Sequence, residues 1–274
     1  MYHYLLPLII AFPKGYDVCV TFPLNQIIDR MADKENDEEI LINCKLINDG
    51  QILINKEKII LVNNKIDKRK TESFFFNKID DLTNPSYLEF DIISKKKKLI
   101  FKDNIGLSFY SIYSSQNKKT FFSDNAFKTG SPNVIYQISK IKRFVDTYSA
   151  INVDLKRSLG ETIFFINPYK KKVICKIKDD ELNNITIVIP PESVREQKLD
   201  VFAKLKNIEH WMGHIQIYAT NRLIAFNYKH QLENKELISD FEHLDPYRLE
   251  DTTVSLSELA RIKVGNFIKS LKIL

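Results

Sequence analysis

Histidine and carboxylate side chains that could bind a metal concentrate between His210 and Asp245. His210 and His214 are four residues apart, a spacing that places two metal ligands on one face of a helix. This segment leads into a strand-like run instead, where residues four apart lie about 13 Å from each other. We therefore expect no metal here, and structural or stacking roles for Trp211 and His230.

A second polar group consists of Asp240, Glu242, His243 and Asp245. Neighbouring acids and a histidine can act as general acid and base when burial separates their pKa values. No nucleophile or oxyanion-hole motif accompanies them, so the simpler interpretation is a polar turn before Pro246. A metal-dependent or acid/base hydrolase using the region His210–Asp245 remains an alternative function.

Candidate ligand-binding side chains lie in the strand-like run before Asn221. A two-residue loop at Thr220-Asn221 predicts a hairpin that pairs the residues on either side of it. Alternation along this hairpin assigns one set of side chains to an apolar core face: Ile215, Ile217, Ile224, Phe226 and Tyr228. The same alternation places His214, Gln216, Tyr218 and Asn227 on the opposite face, which we expect to be wet or to bind a ligand.

A run of four lysines, Lys95, Lys96, Lys97 and Lys98, forms a second candidate site at a predicted hairpin tip. Lysines near aromatic residues can hold phosphates or anionic sugars. Lysine runs at turns also keep hairpins soluble and discourage pairing between sheet edges. A carbohydrate- or nucleic-acid-binding module is therefore another alternative, with nucleic acid the less expected partner.

The overall composition is that of a globular protein with few glycines for glycine-rich, phosphate-binding loops. The 274 residues include only seven glycines, without a G-x-G-x-x-G or G-x-x-x-x-G-K-[ST] motif, and we expect no cofactor. The net charge of +6 permits binding to anionic surfaces without arguing for it. Three widely spaced cysteines, Cys19, Cys44 and Cys175, are typical of buried free thiols in a reducing compartment, so we expect a cytoplasmic protein. The apolar segment 4–12 is too short to span a membrane and predicts a strand.

Short apolar runs recur through the chain and determine the predicted architecture. Each is rich in Ile, Val, Phe and Tyr and is bounded by Asn, Pro, Asp or Gly, the pattern of antiparallel strands. The stretch 15–115 resembles the stretch 160–230 as a loose copy. We predict an all-β, mainly antiparallel fold with two tandem β-sandwich-like domains, residues 1–130 and 131–250.

The last segment, residues 251–274, predicts an amphipathic helix. Ser255 and Glu258 have the spacing of a capping box. An apolar stripe follows at Leu256, Leu259, Ile262, Phe267, Ile268 and Leu271. Such a stripe either packs on the chain's own sheets or mediates self-association.

Part of the later stretch resembles a known family. The runs are E-T-I-F-F-I-N-P, V-I-C-K-I, I-T-I-V-I-P-P-E-S-V, W-M-G-H-I-Q-I-Y and L-I-A-F-N-Y. Together they resemble the small β-sandwich of the sensory rhodopsin transducer family over residues 160–230. The resemblance implies an oligomeric, non-catalytic binding protein. The duplication and the C-terminal helix depart from that family's single short domain, so no functional residue is carried over.

These features favour a non-enzymatic binding or assembly protein that forms oligomers. We expect its partner to be a second copy of the chain, another protein or a small molecule. We expect no association with a membrane. The sequence does not identify the ligand.

Overall fold

The computed structural model describes the chain over residues 2–3, 8–23, 38–62, 71–79, 82, 84–94, 110–114, 120–123, 126–127, 143–220, 223–233 and 242–244. All of these residues belong to one compact unit, Met1–Leu244. The lysine run 95–98 and the predicted helix at 251–274 lie outside the described residues. The predicted boundary between residues 130 and 131 remains a prediction.

The first ten strands occupy the N-terminal half of the chain. They are β1 (Tyr2–His3), β2 (Leu8–Phe12), β3 (Asp17–Pro23), β4 (Glu38–Asn48), β5 (Gln51–Val62), β6 (Thr71–Phe76), β7 (Ser86–Ser94), β8 (Tyr110–Ser114), β9 (Thr120–Ser123) and β10 (Ala126–Phe127). Strand β3 ends at Pro23, a residue that cannot donate to a continuing ladder.

The C-terminal half contributes eight more strands and one short helix within the described residues. They are β11 (Arg143–Asp154), β12 (Leu159–Asn167), β13 (Val173–Asp179), β14 (Asn184–Ile189), β15 (Ser193–Lys198), α1 (Asp200–Leu205), β16 (His210–Ala219), β17 (Ile224–Gln231) and β18 (Glu242–His243). The sequence had not predicted β6, β8, β15 or α1, and its assignment of Phe121-Phe122-Ser123 to a loop is wrong, because these residues belong to β9. These segments are short, and each has only a few apolar residues.

Every pairing between described strands is antiparallel. This confirms the prediction of a mainly antiparallel β protein. Sheet I has the order β10-β2-β7-β4-β5, with β1 also on β7, and sheet II has the order β6-β3-β8-β9. A third sheet contains β11–β18.

The third sheet divides into two arms, because β11 and β12 pair only where Asp154 faces Leu159. We call β11-β16-β13-β14 the outer arm and β15-β12-β17-β18 the central arm. The outer arm repeats the order β2-β7-β4-β5 found in sheet I. The central arm repeats the order of sheet II, strand for strand along the chain.

Two hydrophobic cores lie on opposite faces of the central arm. One, core 1, contains apolar side chains of sheets I and II together with Phe164, Ile166, Val194, Ile224, Phe226 and Tyr228 of the central arm. The other, core 2, lies between the two arms and includes Ile163, Phe165, Cys175, Ile177, Phe202, Trp211, Ile215 and Ile217. The central arm is therefore covered on both faces, and its core 1 face packs against the N-terminal half.

The burial of β12 and β13 follows from these positions. In β12 every residue from Gly160 to Asn167 is buried, which explains its uninterrupted run Thr-Ile-Phe-Phe-Ile. In β13 burial alternates residue by residue, because only one of its faces contacts core 2. The sequence thus distinguishes a strand with two covered faces from a strand with one.

The two halves also meet through turns. The predicted tight turn at Asn48-Asp49-Gly50 joins β4 to β5, and Asp49 and Gly50 have positive φ angles of 44° and 80°. The Gly50 amide donates to the Glu192 carbonyl at 2.9 Å, and Arg195 pairs with Asp49 at 2.9 Å. A hairpin tip of the N-terminal half is therefore anchored on the turn before β15.

The predicted hairpin at Thr220-Asn221 is wrong. Strand β16 pairs with β11 and β13, whereas β17 pairs with β12 and β18. Ile217 consequently faces Ile177 instead of Ile224. Both strands alternate in the same way, so their local pattern fits either partner. The chain crosses from the outer arm to the central arm after Ala219.

Within the described part of the chain, none of the helices has the length and apolar content needed to span a membrane.

Candidate binding face on the outer arm

The outer arm has one face on core 2 and one face turned away from it. In β16, Ile215, Ile217 and Ala219 are buried in core 2. His214, Gln216 and Tyr218 alternate with them along the strand and are partly exposed, so they share the opposite face. Asn227, expected beside them, is buried on the central arm. A ligand-binding role for the three residues remains a prediction.

Neighbouring strands add two lysines to this face. Lys178 of β13 is opposite Gln216, and Lys176 is opposite Tyr218. The Lys178 ammonium lies 5.3 Å from the centroid of the Tyr218 ring, within the range of a cation–π contact. Tyr218 OH donates a hydrogen bond of 3.0 Å to Gln216 Oε1. We call this set, with His214, the polar face.

The composition of the polar face suits a polar or anionic ligand. Two ammonium groups and one imidazole can donate hydrogen bonds, and the Gln216 amide can both donate and accept. Asn184 and Thr186 of β14 are exposed opposite Lys178 and Lys176 and extend the face across β14, which pairs only with β13 within the described residues. Direct contacts between Lys178, Tyr218 and Gln216 hold those side chains in place before any ligand binds.

A charged cluster lies at the β13–β14 turn, near His214. Lys206 contacts three consecutive carboxylates, with Nζ at 3.3 Å from Asp179 Oδ2, 2.8 Å from Asp180 Oδ1 and 2.9 Å from Glu181 Oε1. The Lys206 side chain is only 6% exposed and lies over the Trp211 ring. The hydrogen bond from Lys206 lowers the pKa of Asp180, and the nearby His214 contributes in the same direction.

The turn that carries these acids is fixed internally. Asp179 Oδ1 accepts from the backbone amides of Glu181 and Asn183, and its Oδ2 accepts from the Asn183 side chain. The three acids therefore lie on a turn that its own hydrogen bonds hold in place, and Lys206 binds all three in one ion cluster. The sequence had not predicted this cluster, because its lysine lies 25 positions beyond Glu181.

Gly213 adjoins the cluster, and the Trp211 and Asp180 side chains pack closely against it. A Cβ added there would lie 2.7 Å from Trp211 Nε1 and 2.9 Å from Asp180 Oδ2. Trp211 Nε1 is buried and has no hydrogen-bond partner within the described part of the chain.

Two other histidines of the candidate hydrolase region, His210 and His230, have described side chains, whereas the side chains of Glu242 and His243 lie outside the described part of the chain. His210 is exposed, and its Nε2 lies 2.9 Å from Asn152 Oδ1. His230 is fully buried between Thr162 Oγ1 at 2.8 Å and the Gln231 carbonyl at 2.9 Å, which agrees with the structural role expected for it. Asp240 and Asp245 lie outside the described residues. Among those described, no group of three or more His, Cys, Asp or Glu side chains is placed to hold a metal.

Glu161 is a buried acid that sequence inspection missed. It lies in β12 with no exposed surface, and its Oε2 accepts from the Asn152 amide at 2.9 Å. Burial raises the pKa of this carboxyl, and contacts with Asn152, Tyr148 and Asn227 oppose the shift. The register of β11 shifts between Tyr148 and Ile151, next to the amide that Glu161 accepts from. Glu161 therefore supports an irregular strand from the inside.

The cysteines agree with the expectation of free thiols. All three are unpaired by disulfides, with Cys44 and Cys175 buried and Cys19 partly exposed. Burial raises the pKa of the Cys44 thiol.

A scan against protein-family models and a search of curated proteins return no match to the sequence.

Proposed function

We propose that the chain is a non-enzymatic binding or assembly protein, oligomeric and cytoplasmic, whose ligand contacts the polar face of the outer arm. The observation that carries this proposal is the interlocked arrangement of Lys178, Tyr218 and Gln216. A face whose donors are held in place loses little side-chain entropy on binding. The ligand class that fits two lysines, a histidine and an amide is polar and anionic.

A tandem repeat of one sandwich unit, which the order of the strands favours, would support a binding role. The strand orders of sheet I and the outer arm correspond, as do those of sheet II and the central arm. Cys44 of β4 and Cys175 of β13 lie on corresponding strands and are both buried. The resemblance of residues 160–230 to the sensory rhodopsin transducer family also favours a non-catalytic oligomer, with self-association through the predicted C-terminal helix.

Titrations of the full chain with three defined polymers test this proposal. The probes are a heparin-derived hexasaccharide, a single-stranded DNA oligonucleotide and an uncharged cello-oligosaccharide. We expect an anionic probe to shift the backbone NMR signals of His214, Gln216 and Tyr218. The Lys176→Gln/Lys178→Gln variant should then bind about tenfold more weakly, as expected for two exposed charge contacts.

A matched control is Lys170→Gln/Lys172→Gln, which removes two exposed lysines before β13. It should bind as the unchanged chain does. Signal shifts confined to other surfaces, equal binding of the uncharged probe, or hydrolysis of any probe would contradict the proposal. Sedimentation at several concentrations tests the oligomer, and a purely monomeric mass would refute that part alone.

A further inference from the structure

The edge of sheet II at β6 is a second candidate binding surface. Within the described residues, β6 pairs with β3 and with no other strand. Lys56 and Lys58 of β5 reach across from sheet I and donate to the β6 carbonyls of Phe75 and Ser73, the second at 3.4 Å. Because these carbonyls accept from β5 side chains, they point away from β3, and the amides of the same two residues point the same way.

A groove of about 370 Å³ lies between the two strands. Its walls are Lys56, Glu57, Lys58, Ser73, Phe74 and Phe75. The Phe75 side chain is 67% exposed. An exposed aromatic ring beside backbone carbonyls that only flexible side chains occupy suits strand binding, which uses main-chain bonds for affinity and side-chain contacts for selectivity.

The two lysines determine which strand can bind. Inward-pointing charged residues on an edge strand prevent indiscriminate pairing between sheets. A strand that pairs with β6 must take over the Ser73 and Phe75 carbonyls and thereby release both ammonium groups. Lys58 has a second partner in Glu72. Lys56 contacts only a carbonyl and the Phe76 ring among the described residues, so it would need a new anion.

We propose that the β6 edge accepts an extended, acidic segment of a partner protein by strand addition. The segment donates its amides to the Phe75 and Ser73 carbonyls, accepts from the amides of the same residues, and places a carboxylate against Lys56. Its apolar side chains contact Phe75. This site is separate from the polar face, so the inference goes beyond the proposed function.

A pair of synthetic peptides tests the inference on the full chain. The probe is a blocked octapeptide that alternates glutamate with valine, and its partner has lysine in place of glutamate. We expect the acidic peptide to bind and to slow hydrogen exchange of the Ser73 and Phe75 amides. The lysine peptide should bind at least about tenfold more weakly because it repels Lys56 and Lys58.

Two controls separate strand addition from simple charge attraction. An acidic peptide methylated at its donating amides should lose binding, since it cannot pair with β6. The Lys56→Gln/Lys58→Gln variant should weaken binding of the acidic peptide, whereas Lys170→Gln/Lys172→Gln, which removes two exposed lysines outside both proposed sites, should leave it unchanged.

Several results would overturn the inference. One is the absence of binding up to about 1 mM peptide, the weak end of measurable affinity. Another is equal binding of the methylated peptide. A third is hydrogen exchange of the Ser73 and Phe75 amides that the peptide does not slow. Binding of single-stranded RNA, but not of peptide, that depends on Lys56 and Lys58 would also overturn it, as would pairing of two copies of the chain through β6.

Discussion

Phe164 and Phe165 are consecutive residues of β12, yet their side chains pack in different cores. Phe164 contributes to core 1 beside residues of sheets I and II, and Phe165 contributes to core 2 beneath the outer arm. Both rings are almost completely buried. The strand thus forms a wall common to two interiors, and each interior depends on one of its faces.

Replacing either ring by alanine should destabilise the whole unit. We expect Phe164→Ala and Phe165→Ala each to lower the free energy of unfolding by about 3–5 kcal/mol, the range for truncating a buried aromatic side chain. Urea titrations followed by circular dichroism and by fluorescence of Trp211, the only tryptophan and a core 2 residue, provide the measurement. Coincident transitions are expected in both variants. A Phe164→Ala protein whose tryptophan signal is unaffected would contradict the shared wall, and Phe75→Ala, on an exposed ring, is the control.

Removing Lys206 should leave three carboxylates facing one another without a counter-ion. Breaking a buried ion pair from one side typically costs about 3 kcal/mol or more, so we expect a loss of that size for Lys206→Met near pH 7. Lys206 lowers the pKa of Asp180, and the stability from this pairing exists above the ordinary value of 3.8 and disappears as the pH falls. The difference between variant and parent, measured by urea unfolding, should therefore shrink toward pH 3. Lys204→Met removes a lysine that is 63% exposed and pairs with one acid, Asp200, and it should cost less than Lys206→Met.

Glu161→Gln should change how stability depends on pH. Burial raises the pKa of Glu161, so the folded state favours the neutral carboxyl. Its contribution is present below the ordinary pKa of 4.5 and is lost as the pH rises through the raised folded value. We expect Glu161→Gln to be as stable as the parent near pH 4 and more stable at pH 8. Unfolding free energies over this range test the prediction, with Glu209→Gln on the surface as control, and a parallel shift at every pH would contradict it.

The three thiols should react in a fixed order. Cys19 is partly exposed, whereas Cys44 and Cys175 are buried and burial raises the pKa of Cys44. Because the thiolate is the reactive form, a maleimide should label Cys19 first and the other two only on unfolding. Mass spectrometry of peptides from briefly labelled protein identifies the sites. Rapid labelling of Cys44 in the folded chain would show that β4 is more open than described.

Strands with a clear apolar pattern could be predicted from the sequence, but their partners could not. The run before Pro168 and the turn at Asp49-Gly50 are specified by local residues, and both occur as expected. The choice of β11 and β13 as partners of β16 depends on the packing of two arms, which no local pattern encodes. Strand β15 was missed because Val194 is its only large apolar residue and its pairing with β12 makes it a strand.

The candidate sites divide in the same way. Alternation alone assigned His214, Gln216 and Tyr218 to one face, since a strand has period two. The ion cluster of Lys206 and the groove beside β6 join residues from separate segments, and both arise only when the sheets are assembled. Asn227 was misplaced because its predicted position depended on the hairpin at Thr220-Asn221, which does not form.

The position of β12 between the two cores limits which insertions and deletions this chain can tolerate in evolution. Inserting one residue ahead of Thr162 would move every following side chain of the strand to the other face. Phe164 would then point into core 2, and Phe165 into core 1. Both interiors would have to be refitted at once. Insertions or deletions within this strand should therefore prevent folding, whereas insertions in loops far from it should be tolerated.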